Sequence, residues 1–152
     1  MKHNIMKTIE SLIKDNFEKG ASEVEVYGHV NQYVLAQIND HVRPEVMKFN
    51  KATTRALDGV VLPVVYSEYF DTIDAFLDSD EKEPVKLATI QVFAGQLVDG
   101  AVDTLATAKD NGIQNREFEA VCTQAIEFLK EFEKFTINVN DFVKSTIKNF
   151  KK

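Results

Sequence analysis

Residues 84–108 read PVKLATIQVFAGQLVDGAVDTLATA, and the fold turns on this stretch. Leu87, Ile90, Phe93, Ala94, Leu97, Val98, Ala101, Val102 and Leu105 recur at helical spacing and cover nearly the whole circumference, leaving Gln96, Asp99 and Asp103 as a narrow polar stripe. A helix apolar on so many sides has to be surrounded by other elements, so a central helix in an all-α domain is expected. Ala94-Gly95 and Gly100-Ala101 lower its intrinsic helicity; their expected use is to let another helix, or a ligand, approach its backbone closely.

Toward the N-terminus, turn residues divide the chain into four more helices. The first, about Asn4 to Glu18, carries Ile5, Ile9, Leu12, Ile13 and Phe17 on one face and stops at Gly20. Ser22 is placed to cap the second, in which Val26, Val30, Tyr33, Val34, Ile38 and Val42 recur at three and four residues and which should end before Pro44. Pro44 suits the first turn of a third helix, closed by Asp58-Gly59. A fourth is expected from near Pro63 to Leu77, followed by the acidic loop Asp78-Ser79-Asp80-Glu81. Toward the C-terminus, Asn111-Gly112 ends the central helix and a sixth follows from about Asn115 to Phe135, with Phe118, Cys122, Ala125, Leu129 and Phe132 in a heptad-like pattern. The β-branched stretch Thr136 to Val139 predicts a bend or break, so that 137–152 forms a short C-terminal helix. The expectation is one domain over 1–152 with about six to seven helices.

Composition narrows the function. The apolar run Val60 to Tyr66 contains Pro63 and is far shorter than the roughly 20 residues a membrane span requires. A lone cysteine, Cys122, and the lack of a signal-peptide pattern point to a reducing, cytoplasmic compartment. The net charge of −6 is concentrated in the middle: residues 58–112 hold three basic and eleven acidic groups. Such a surface repels a polyphosphate backbone, and the basic residues elsewhere form no stripe, so nucleic-acid binding is disfavoured.

No motif anchors an enzyme. His3, His29 and His41 have neither a second histidine nor a cysteine at zinc-binding spacing, and no Gly-x-Ser-x-Gly elbow, Walker loop or dinucleotide glycine pattern occurs. Asp99 and Asp103 could act as an acid and a base if buried unequally, but without a His or Lys partner they read as exposed surface beside the core. Asp71, Asp74 and Asp78 share one helical face and, lacking a calcium-type loop, read as a solvated one. Cys122, on an apolar face, reads as an inert core thiol. Two of the three arginines, Arg43 and Arg55, stand at the ends of the short third helix with His41 nearby. Arg43 at a free helix N-terminus would offer guanidinium and backbone donors to a carboxylate or halide, with Tyr66 and Tyr69 adding hydroxyls; the simpler reading pairs these arginines with Asp40, Glu45 or Asp58.

The helix order, with Tyr66-Ser67-Glu68-Tyr69-Phe70 and Ile90-Gln91-Val92-Phe93-Ala94-Gly95-Gln96, resembles the haem-free globin-fold sensor domains of bacterial stress and sporulation regulators. Within that group it is similar to the plasmid-encoded sporulation-inhibitory proteins of spore-forming bacilli, themselves similar to the sensor domain of a sporulation histidine kinase. The resemblance implies a globin-like fold without haem, an apolar tunnel holding a fatty acid, an adjacent halide or other anion site, a homodimer, and inhibition of sporulation by competing with the sensor kinase for signal or partner. Haem ligation would need a proximal histidine before the central helix, and Glu68 to Gln96 contains none. The alternative is a helical protein–protein interaction module with a filled core and no ligand.

Overall fold

The computed structural model describes residues 3–57 and 66–150, and within them every regular element is a helix. The helical segments are α1 (His3–Glu18), α2 (Glu23–Gln37), a π-helical turn (Ile38–Val42), α3 (Arg43–Ala56), α4 (Tyr66–Leu77), α5 (Glu83–Asp110) and α6 (Arg116–Phe150). Because α2, the π turn and α3 run on without interruption, these make five continuous helices among the described residues, fewer than the six to seven expected. The expected cap at Asp58-Gly59 and helix start near Pro63 lie outside the described residues.

Local chemistry sets the helix ends. Gly20 (φ 85°) and Gly112 (φ 71°) adopt the left-handed conformation that side chains resist. In each case the following amide reaches back five residues, from Ala21 to the Asn16 carbonyl and from Ile113 to the Ala108 carbonyl, both at 3.0 Å, which satisfies orphan carbonyls at the helix end. Ser22 caps α2 as expected and does so reciprocally: its hydroxyl accepts from the Glu25 amide while the Glu25 carboxylate accepts from the Ser22 amide. These bonds hold the Glu25 carboxyl below its ordinary range.

Two expected breaks are absent, each for a physical reason. Pro44 does not end α2, because proline sits early in α3 where the π turn has already rearranged the hydrogen bonding; the Arg43 amide donates to the Ile38 carbonyl, five residues back. Val26, Val30, Val34, Ile38, Val42 and Val46 are all buried at a strict spacing of four. In a regular α-helix each such step overshoots a turn by about 40°, and the wider π turn takes up this drift. Nor does Thr136 to Val139 interrupt α6. Phe118, Cys122, Ala125, Leu129, Phe132, Thr136, Val139, Val143 and Thr146 are buried at alternating spacings of four and three, so one heptad seam runs the length of the helix. The two threonine hydroxyls donate to carbonyls of their own helix, Glu133 (2.6 Å) and Phe142 (2.8 Å), which removes the cost of burying them.

Packing follows from these faces. α5 and α6 form an antiparallel hairpin with the most extensive contact, α2 and α4 lie on α5, and α1 and α3 lie on α6. Phe49, Phe70, Phe132, Ile9, Ile13, Ile38, Leu87, Ile90 and Leu129 are among the fully buried residues, joining all five helices in one core. α5 shares the centre with α6 and, unlike a fully surrounded helix, leaves Val85, Val92 and Val102 exposed on its outer side. No helix among the described residues is long and apolar enough to cross a membrane.

Candidate functional site

α4 is the element around which the candidate site is built. One side faces α3: the Arg43 guanidinium donates to Asp74 Oδ2 at 2.6 Å, lies 3.9 Å from Asp71 Oδ1, donates to Asn39 Oδ1 at 3.3 Å and sits 4.9 Å above the Phe70 ring. Phe70 in turn meets Phe93 of α5 edge to face, with centroids 5.5 Å apart. The arginine therefore ties the start of α3 to α4 through a charge-assisted hydrogen bond and a cation–π contact.

This geometry alters the expected anion site. The helix is continuous through Pro44, so Arg43 stands beside no free helix N-terminus, and its donors face two carboxylates of the chain itself, where the expected site would face a ligand anion. The expected partners Asp40 and Glu45 are replaced by Asp74 and Asp71, and Asp58 lies outside the described residues. Asp74 is accordingly more than part of a solvated face, while Asp71 and Asp78 are exposed, as that reading expects. His41 is exposed on the π turn; Arg55 is exposed at the far end of α3, where it borders a shallow recess with Met47, Asn50, Lys51 and Thr54. Tyr66 opens α4, and its side chain is outside the described residues. Arg43 and Arg55 do not converge.

The other side of α4 faces a groove. Glu68, Tyr69, Thr72, Ile73 and Phe76 form one wall, Thr89, Val92, Phe93 and Gln96 of α5 the other, of a recess of about 580 Å³ that is open to solvent. The volume lies in the range of small-molecule sites, and the walls are apolar with a few hydroxyl and amide groups. Tyr69 is the one expected site residue that lines it. Val92 is 60% exposed and Tyr69 47% exposed, so the mouth is apolar too. The residues not anticipated, Ile73, Phe76, Thr89 and Val92, carried one signal: Val85, Thr89 and Val92 continue the Gln96, Asp99, Asp103 stripe toward the N-terminus of α5, making the outward face of that helix half apolar and half acidic. Asp99 and Asp103 are exposed on its acidic half.

A buried polar cluster fixes the loop that joins α4 to α5. Asn31 of α2 donates to the Glu83 carboxylate (2.7 Å) and carbonyl (3.0 Å), and Lys86, only 5% exposed, donates to the Ser79 carbonyl (2.7 Å) and approaches Glu83 at 3.4 Å. Its charge is thus matched inside the core. His29 Nδ1 donates to Asn16 Oδ1 at 2.7 Å, linking α2 to α1. Cys122 is fully buried, and burial, helped by Glu119, pushes its thiol up to about 11. Among the described residues, no three His, Cys, Asp or Glu side chains gather as metal ligands would.

No protein-family model matches the chain, and no curated protein or solved structure matches it either.

Proposed function

We propose that this chain is a cytoplasmic, non-catalytic sensor module of globin-like type that binds an apolar ligand, a fatty acid in the first instance, in the groove between α4 and α5. Ligand occupancy, in a homodimer, would set its ability to inhibit sporulation signalling by competing with a sensor histidine kinase for signal or partner. The observation that carries the binding reading is the groove itself: an apolar recess of about 580 Å³ between two helices otherwise packed on a filled core. The link to sporulation rests on the resemblance of the helix order and the two quoted segments.

The groove constrains the ligand. Glu68 is the charged residue in its walls, and Arg43 on the opposite side of α4 is held by Asp74. An acyl chain would lie along Ile73, Phe76 and Phe93 with its carboxylate turned toward water, so a fatty alcohol should bind at least as well as the acid of equal length.

Mass spectrometry of the natively purified protein and of its organic extract tests this, followed by melting curves with added fatty acid and fatty alcohol. A stoichiometric acyl species and a raised melting temperature are expected. A ligand-free protein that no acyl compound stabilises would remove the sensor reading and leave a helical interaction module, the reading to which the exposed Val92 and Tyr69 also lend themselves.

A further inference from the structure

The groove has charge at its ends as well as apolar walls. α4 and α5 are antiparallel neighbours joined by the loop 78–82, so the acidic Asp78, Asp80 and Glu81 lie at the Phe76 end. At the opposite end lie Glu68 and, one and two turns past Gln96 on the outward face of α5, Asp99 and Asp103, all exposed. Lys86 is buried, which leaves Lys82 as the one exposed cation among the described residues of 66–108. From the loop to Asp103 is about 20 residues of helix, or roughly 30 Å.

We propose that this groove docks a cationic amphipathic helix of a partner protein, its apolar stripe against Ile73, Phe76 and Val92 and its lysines or arginines over the two acidic ends. In the helix-in-groove mode an amphipathic helix lays its apolar anchors in a trough and its polar residues on the rim; here the lining runs about two turns along each wall, Glu68 to Phe76 and Thr89 to Gln96, and the acidic residues lie at and beyond both ends. Charge selects this occupant. A second copy of the chain laid on the same face would bring acid against acid, and an anionic helix would be repelled at both ends. The inference rests on the groove being the binding site of the chain, and it makes acyl ligand and partner helix mutually exclusive there.

The test uses the full chain and two fluorescent 18-residue amphipathic peptides, one of leucine and lysine, the other of leucine and glutamate, followed by anisotropy. Saturable 1:1 binding of the lysine peptide is expected, weakened roughly tenfold or more between about 50 and 500 mM salt and lost in Val92→Asp. Val92 is too exposed for that change to unfold the protein, and circular dichroism verifies this. The paired variant Asp99→Lys with Asp103→Lys should weaken the lysine peptide while leaving the groove intact. Equal binding of both peptides, or lysine-peptide binding that Val92→Asp does not alter, overturns the proposal. If fatty acid or alcohol binds and is abolished by Val92→Asp while the lysine peptide does not bind, the helix inference fails and the sensor reading stands. If neither ligand nor peptide binds, both fail.

Discussion

Arg43 and Asp74, 31 residues apart in sequence, are joined at 2.6 Å, and this bond bridges α3 and α4. The second oxygen of Asp74 is buried with no hydrogen-bond partner among the described residues, where the arginine is the main compensation for taking this carboxylate out of water. Both side chains keep some exposure, 29% and 39%, which moderates the energy. Arg43→Ala and Asp74→Ala should each destabilise by about 1–2 kcal/mol. The double variant should cost less than the sum by at least about 0.5 kcal/mol, read from urea unfolding. Strict additivity would mean that the bond contributes nothing. Arg43→Lys should recover only part, since an ammonium cannot spread over the Phe70 ring as the guanidinium does.

Gly95 illustrates how a close contact can still tolerate a larger residue. A Cβ added there would meet Glu133 Oε2 at 2.8 Å. That atom is the tip of a flexible, partly exposed side chain, so the carboxylate can swing aside while α5 gains helix propensity. Gly95→Ala should therefore stabilise by about 0.5–1 kcal/mol, seen as a raised denaturation midpoint. A loss of stability would show that Glu133 is held in place more firmly than its exposure implies.

Cys122 links stability to alkaline pH. Its thiol titrates near 11 in the folded protein against an ordinary value of 9.0, so folding favours the neutral form. That contribution is complete below about pH 9 and is lost as the pH rises toward 11. Stability should fall across this interval less steeply in Cys122→Ala than in the unaltered protein. An aromatic disulfide reagent at neutral pH should leave the folded thiol unmodified and react only in denaturant.

The π turn gives a test by deletion. Asp40 is exposed at its centre, and removing it turns the buried spacing Ile38 to Val42 from four into three, which a regular α-helix accommodates. The Asp40 deletion should fold cooperatively at a cost of about 1–2 kcal/mol. Deleting the equally exposed Gln32 rotates every later position by about 100° with no turn to absorb it, and no cooperative melt is expected. Comparable behaviour of the two deletions would contradict the role given to the π turn.

These elements differ in how far they could be read from the chain. α5 declares itself as a core helix because almost every side of it is apolar, and the Ser22 cap is written in a serine placed before the Val26 stripe. α6 was harder to read because polar letters fall on its seam. Thr136 and Thr146 look like interruptions until their hydroxyls are seen bonding their own helix, after which the heptads count through without a gap. The continuity past Pro44 was encoded in a run of fours too long for an α-helix, a signal of helical drift easily mistaken for ordinary periodicity. The groove was the least legible. It arises only when α4 is laid on α5, and no spacing within either helix announces its partner. Likewise the partner of Arg43 lies too far along the chain for any local pattern to name it.

The 35-residue α6, about 52 Å long, supplies the surface on which α1, α3 and α5 all rest. Because it follows the other described helices, the faces of α1, α3 and α5 that rest on it emerge from the ribosome before their cover has been made. Until then α1 can already pack on α2 and α2 on α5, while the faces that wait for α6 are the ones open to chaperones, proteases and self-association.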